Sequence, residues 1–84
     1  MNPLEDIVNI GPVNAEKLVQ AGIPDIDTLQ KAGAENAFLR IRTIDPGACL
    51  HLLYGLEGAV QGIKKSHLSA LRKKELQDFF KHCK

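Results

Sequence analysis

Three histidines, two cysteines and a single tyrosine are the side chains of this 84-residue chain best suited to bond-making chemistry. A nucleophile or general base works only when a partner group orients it within hydrogen-bond reach. His51, His67 and His82 stand in three separate contexts, none with an Asp, Ser or Cys fixed beside it by spacing. His51 is expected on the polar side of a helix, and His82 lies near the C-terminus. Tyr54 sits in an apolar block, where its ring packs and its hydroxyl finds a backbone acceptor. Cys49 and Cys83 form no CxxC pair, which fits reduced thiols in a cytosolic protein. Cys49, His51, His82 and Cys83 do not offer the tightly spaced four-ligand set of a structural zinc site, because residues two apart on a helix point to different sides. The expectation is a non-enzymatic chain with no metal and no cofactor.

Binding chemistry is better represented. Asn9-Ile10-Gly11-Pro12, followed by Ala15, Leu18 and a closing Ala21-Gly22-Ile23, resembles a helix-hairpin-helix motif over about residues 3–22. In such a hairpin Gly11 lets the chain turn tightly and Ile10 pins the two helices together. The free N–H groups opening the second helix favour a phosphate. That arrangement is suited to gripping duplex DNA by its backbone without reading sequence. Asn9, Ile10, Gly11, Asn14 and Lys17 are the candidate contacts. Val13 and Asn14 stand where DNA-gripping hairpins often carry Lys, Pro12 removes one amide donor, and Lys17 is the one nearby cation. A hairpin that only packs helices is therefore the competing reading.

Charge points elsewhere along the chain. Eleven Lys and Arg against ten Asp and Glu leave a formal net charge of +1, which excludes a bulk polycation. The distribution is polar. Residues 1–36 hold two lysines against six acids, a net of −4, and residues 64–84 hold seven basic residues against two acids, a net of +5. Lys64, Lys65, Arg72 and Lys73, with Lys74, form a second candidate DNA surface, spaced so that some share a helix face. The competing reading is a solvated basic face, or two oppositely charged ends that neutralise each other.

The elements that must position these groups are helices. No stretch alternates apolar and polar residues with β-branched enrichment, so no sheet is expected. Asn2 and Pro3 open a short first helix carrying Leu4, Ile7 and Val8. Pro12 opens a second, with Ala15, Leu18 and Val19 as its apolar stripe and Gly22 as its left-handed stop. Asp25 or Asp27 caps a third that ends near Gly33. Residues 34–42 form a fourth, with Ala34, Ala37, Phe38 and Ile41 in helical register. Asp45 and Pro46 are expected to cap and open a fifth, running to about Ile63, with an apolar stripe of Cys49, Leu52, Leu53, Leu56, Val60 and Ile63. Gly55, Gly58, Ala59 and Gly62 form a stripe of small residues on that helix. Each Gly there costs about 1 kcal/mol against Ala, so close approach of a neighbouring helix is expected. A turn at Gly55–Gly58 that splits the helix is the alternative. Ser66 is expected to cap a sixth helix, with Leu68, Leu71, Leu76, Phe79, Phe80 and Cys83 on a broad apolar face. Gly55, Ala59, Gly62, Phe79 and Phe80 double as candidates for a protein interface.

The fold class expected is all-α: a single compact domain of five or six helices spanning residues 1–84. A chain this short hides roughly 63% of its unfolded surface, enough for one core but not for a core and a deep cleft. No apolar run approaches the roughly 20 residues that span a bilayer, and acids stand where a signal peptide carries basic residues. A cytoplasmic location with no membrane partner is expected.

Asn9-Ile10-Gly11-Pro12, Ala21-Gly22-Ile23, Leu29, Gly33-Ala34 and the Leu52-Leu53-Tyr54-Gly55-Leu56-Glu57-Gly58-Ala59 block form an ordered set. Over about residues 4–76 that set resembles the C-terminal domain of the TfoX/Sxy family, bacterial regulators of natural competence. The resemblance implies a helical regulatory module that binds DNA or a transcription-related protein, usually joined to an N-terminal α/β domain. A start at Met1 favours a short stand-alone member over an excised domain. Where the family usually carries a Trp after Gly62-Ile63, this chain has Lys64-Lys65 and no Trp anywhere.

Overall fold

Residues 9–83 are described by a computed structural model, and they form helices and turns with no strand among the described residues. The order is α1 (Pro12–Gln20), α2 (Ile26–Ala32), α3 (Ala34–Ile44), α4 (Leu50–Gln61), a short 3-10 turn (Lys65–His67) and α5 (Ala70–His82). The helix expected to open at Asn2 and Pro3, which is also the first arm of the hairpin, lies outside the described residues.

Local signals account for most boundaries. Pro12 stands at the first position of α1, where its missing N–H costs nothing. Gly22, at φ +86°, closes α1: Ile23 N–H reaches Leu18 C=O at 2.8 Å and Gly22 N–H reaches Val19 C=O at 3.0 Å. Asp25 rather than Asp27 caps α2, accepting from Thr28 N at 2.8 Å. Gly33, at φ +82°, separates α2 from α3. On α3 the expected stripe of Ala34, Ala37, Phe38 and Ile41 is buried, and the helix runs two residues past its expected end.

Two helix starts differ from expectation. α4 begins at Leu50 rather than Pro46, with Cys49 as its N-cap residue. Asp45 is drawn out of the capping role: its side chain accepts from Lys17 Nζ at 2.6 Å and from Gly47 N at 3.1 Å, shaping Asp45–Gly47 into a turn. α5 begins at Ala70, capped by Ser69, whose hydroxyl accepts from Arg72 N at 3.1 Å. Ser66 lies instead inside the 3-10 turn.

The core gathers Ile10, Leu18, Ile23, Leu29, Phe38, Ile41, Leu53, Leu56 and Leu76, with α3 and α4 as the central pair. Val19 and Leu71, expected on apolar faces, are exposed, and so is Cys49. Leu71 sits on the outward side of α5, whose buried residue is Leu76. Phe79 and Phe80 are half-buried and meet the Phe38 ring edge-on at centroid separations of 6.5 Å and 5.8 Å. That geometry is the favourable one for aromatic pairs, and it fastens the end of α5 to α3. Arg42 strengthens the same junction by donating to the Cys83 carbonyl and sulfur.

Candidate functional site

The turn before α1 owes its shape to Asn9 rather than Gly11. Asn9 holds φ +70°, a left-handed conformation that Asn tolerates better than most residues. Gly11, the N-cap residue of α1, is extended at φ −94° and ψ 178°, a conformation open to any residue. A Cβ at Gly11 would meet no atom of the described residues within 4 Å, which leaves the start of α1 open on that side. Gly11, Pro12 and Val13 are exposed, and Val13 stands at 66% of its full exposure. Ile10 is buried in the core.

The Asn9 side chain joins two segments far apart in sequence. Its Nδ2 donates to Ile63 C=O at 2.9 Å, and its Oδ1 accepts from Lys65 N at 3.1 Å. The loop bearing Lys64 and Lys65 is thereby fastened beside the turn that precedes α1. Gly55 and Gly58 make room for this junction. A Cβ at Gly55 would lie 3.6 Å from Asn9 atoms, and one at Gly58 would collide with Asn9 Nδ2 and lie 2.8 Å from Ile63 O. The small-residue stripe therefore accommodates the chain's own Asn9 and Ile63–Lys65 segment rather than a neighbouring helix, and α4 passes through it without a break. Gly62 has a separate duty: it ends α4 in a left-handed conformation at φ +74°. Ala59 belongs to the core. Of the candidate interface residues, then, Gly55, Ala59, Phe79 and Phe80 pack within the fold.

The basic candidates divide. Lys64 and Lys65 are exposed beside the turn. Arg72 is engaged with three carboxylates: its Nη2 lies 2.8 Å from both Glu35 and Glu57, and its Nη1 lies 3.3 Å from Glu75. Bonds to Glu57 and then Glu35 hold the guanidinium firmly charged, raising its pKa further above its ordinary value. Burial pushes the Glu57 carboxyl upward, but bonds from Arg72 and Gln61 outweigh it and leave its pKa below 4.5. Arg72 is thus a tie between α3, α4 and α5, surrounded by acid, and Lys73 and Lys74 follow it on α5. Lys17 is likewise paired, with Asp45, which that bond holds below the usual carboxylate range.

Sequence reasoning missed Glu57 and the side-chain role of Asn9. Glu57, buried to 6% exposure, carried one available signal: it is the lone acid in the apolar block from Leu52 to Ala59. Among the described residues no histidine is hydrogen-bonded to a carboxylate, hydroxyl or thiol. His51 is exposed and edge-on to Tyr54 at 6.4 Å, His82 Nδ1 lies 2.7 Å from Asp78 C=O, and His67 is exposed on the 3-10 turn. The Tyr54 hydroxyl accepts from the Gln77 side chain at 2.8 Å, where a backbone partner was expected. No cluster of three metal-ligating side chains occurs among the described residues, and no helix there is long and apolar enough to cross a membrane.

The profile of the TfoX C-terminal domain matches residues 1–80. The chain belongs to the TfoX C-terminal domain family. The DNA transformation protein TfoX of Haemophilus influenzae is 30% identical over 76 residues, which cover 90% of this chain and 35% of that protein. The chain thus spans about a third of the length of that curated relative. Two solved structures from Listeria monocytogenes share the fold. An uncharacterized protein in a triclinic crystal form aligns at TM-score 0.93 and 42% identity, over 94% of this chain and 90% of that one. A protein of unknown function in a tetragonal form aligns at TM-score 0.93 and 41% identity, over 96% and 100% respectively. The TfoX C-terminal fold is thus built here with its basic loop tied directly to the turn at Asn9.

Proposed function

We propose that this chain is a non-catalytic regulatory module that binds the phosphate backbone of duplex DNA. The contact surface is the Gly11–Asn14 start of α1 together with Lys64 and Lys65. The name of the Haemophilus influenzae relative, a DNA transformation protein, supports a role for such a module in competence. The observation that carries the reading is the Asn9 clamp, which holds the loop bearing Lys64 and Lys65, from the +5 segment, against a motif that lies in the −4 segment of the sequence. The open surface at Gly11 supports it, since a duplex backbone can approach the start of α1 there. The acids around Arg72 speak against the α5 face as the alternative DNA surface.

Fluorescence anisotropy with a labelled duplex tests this. Binding should weaken steeply between low and moderate salt, and a Lys64→Gln/Lys65→Gln double variant should lose about 1.8 from the slope of log affinity against log salt. Lys73→Gln/Lys74→Gln should leave affinity nearly unchanged. Absence of binding at low salt, or equal losses in the two double variants, would refute the assignment.

A second reading, a protein-interaction module, draws on the exposed Val13 and Leu71, at 66% and 71% of full exposure. They lie on different elements, α1 and α5. Sedimentation of Val13→Ser and Leu71→Ser against the parent chain checks self-association: a strict monomer in all three sets that version aside.

A further inference from the structure

Between the first turns of α1 and the start of α4 lies a cavity of about 260 Å3. Asn9, Asn14, Lys17, Asp45, His51 and Lys65 supply its polar lining. The polar atoms there are unevenly committed. Both Asp45 oxygens are taken, one by Lys17 Nζ and one by Gly47 N, and both polar atoms of Asn9 are used in its clamp. The Lys65 ammonium, the His51 ring and the Asn14 amide have no hydrogen-bond partner among the described residues. What faces the cavity uncommitted among the described residues is therefore a surplus of donors and positive charge, while the one carboxylate of that lining, Asp45, is neutralised by Lys17.

Two further features bias the site the same way. α1 and α4 both begin with no side-chain cap and no acid in the first turn, and Asn14 and His51 lie in those turns. Helix N-termini favour negative charge nearby. The volume suits a small ligand, falling below the range of most drug-sized sites. From this donor set we infer that the cavity binds a phosphoryl group, as a phosphate monoester, with Lys65, His51 and Asn14 as its ligands. Asn14 and Lys65 are shared with the proposed DNA surface, but His51 is not part of that surface and Gly11, Pro12, Val13 and Lys64 lie outside the lining, so the two readings can fail separately.

The source of the phosphoryl group is either a small phosphorylated molecule or the end of a nucleic acid strand. A 15N-resolved NMR titration of the whole chain separates them, using inorganic phosphate, a nucleoside 5′-monophosphate, the matching nucleoside, and a short duplex with and without a 5′-phosphate. Saturable shifts at Asn14, His51 and Lys65 with phosphate and the monophosphate, but not with the nucleoside or with matched sodium chloride, are expected. Larger shifts of the same signals with the 5′-phosphorylated duplex than with the unphosphorylated one would identify a strand end as the source. Equal duplex responses, with the monophosphate still binding, would identify the small molecule. Lys65→Gln and His51→Gln, both at exposed positions, should each weaken monophosphate binding about tenfold. Shifts that do not saturate, or shifts that both variants retain in full, overturn the inference. Failure of the DNA reading is seen separately, as unmoved signals at Gly11, Val13 and Lys64 in the duplex arms.

Discussion

At Gly58 the absence of a side chain is a packing requirement. Any Cβ there collides with Asn9 Nδ2 and presses on the backbone at Ile63 and Lys65, which cannot swing aside like the end of a flexible side chain. Gly58→Ala should therefore cost about 2–3 kcal/mol, as overpacking does, despite the gain in helix propensity. Gly55→Ala, three residues away on the same helix, meets Asn9 only at ordinary contact distance, so propensity wins and stability should rise by about 0.5–1 kcal/mol. Urea denaturation of the two variants checks both signs. Asn9 is the partner in each case, and two of its properties can be separated. Asn9→Gly keeps the left-handed backbone accessible and removes only the side-chain bonds to Ile63 and Lys65. Asn9→Ala removes both, and should be the less stable of the two.

Among the elements, α5 depends most on partners. Its sole buried residue is Leu76, so hydrophobic burial alone holds it weakly. Arg72 compensates by joining α5 to α3 through Glu35 and to α4 through Glu57, and Phe79 and Phe80 close on Phe38 further along. Glu57 is the buried member of this network, and removing one partner of a buried pair leaves the other charge uncompensated. Glu57→Ala should destabilise the fold by about 2–3 kcal/mol, discounted from a fully buried pair because Arg72 is itself only partly covered and retains Glu35 and Glu75. Hydrogen exchange would show the loss first as faster exchange along α5, with α3 remaining protected. An unchanged α5 would mean that the aromatic contacts suffice.

For the molecule as a whole, the carboxylates set the acid limit. A bond from the Thr28 backbone holds Asp25 below its ordinary 3.8, the Lys17 ammonium does the same for Asp45, and the bonds from Arg72 and Gln61 overcome burial to hold Glu57 below 4.5. Each group binds its proton more readily in the unfolded chain than in the folded one. Their contribution is therefore complete above about pH 5 and is lost as pH falls through the depressed folded values. Unfolding midpoints in urea should be flat from pH 7 to about pH 5 and fall below that. Glu57→Gln should flatten that decline, because the variant no longer carries the titrating group with the buried partner.

Much of this architecture was legible in the residue order, because it rests on short-range physics. Pro12, Gly22, Asp25 and Gly33 act within a turn of their own positions, and the 3, 4 spacing of Ala34, Ala37, Phe38 and Ile41 needs only helical geometry. Expectation failed where a distant residue competed for a local group. Asp45 had the chemistry of a cap but is bound by Lys17, 28 residues away, and α4 starts later as a result. The small-residue stripe announced a close approach correctly but not by whom, since Asn9 lies 54 residues from the Ile63 it bonds.

The sequence alone determined an all-α domain of the TfoX C-terminal family, its helix punctuation and its split charge. Only the tertiary structure decided which charges remain available. Arg72 is consumed by three carboxylates and Lys17 by one, whereas Lys64 and Lys65 are carried to the turn by the bonds of one asparagine. Capping and periodicity are settled within a few residues, but ion pairing and side-chain clamps depend on contacts that exist only after distant segments have packed.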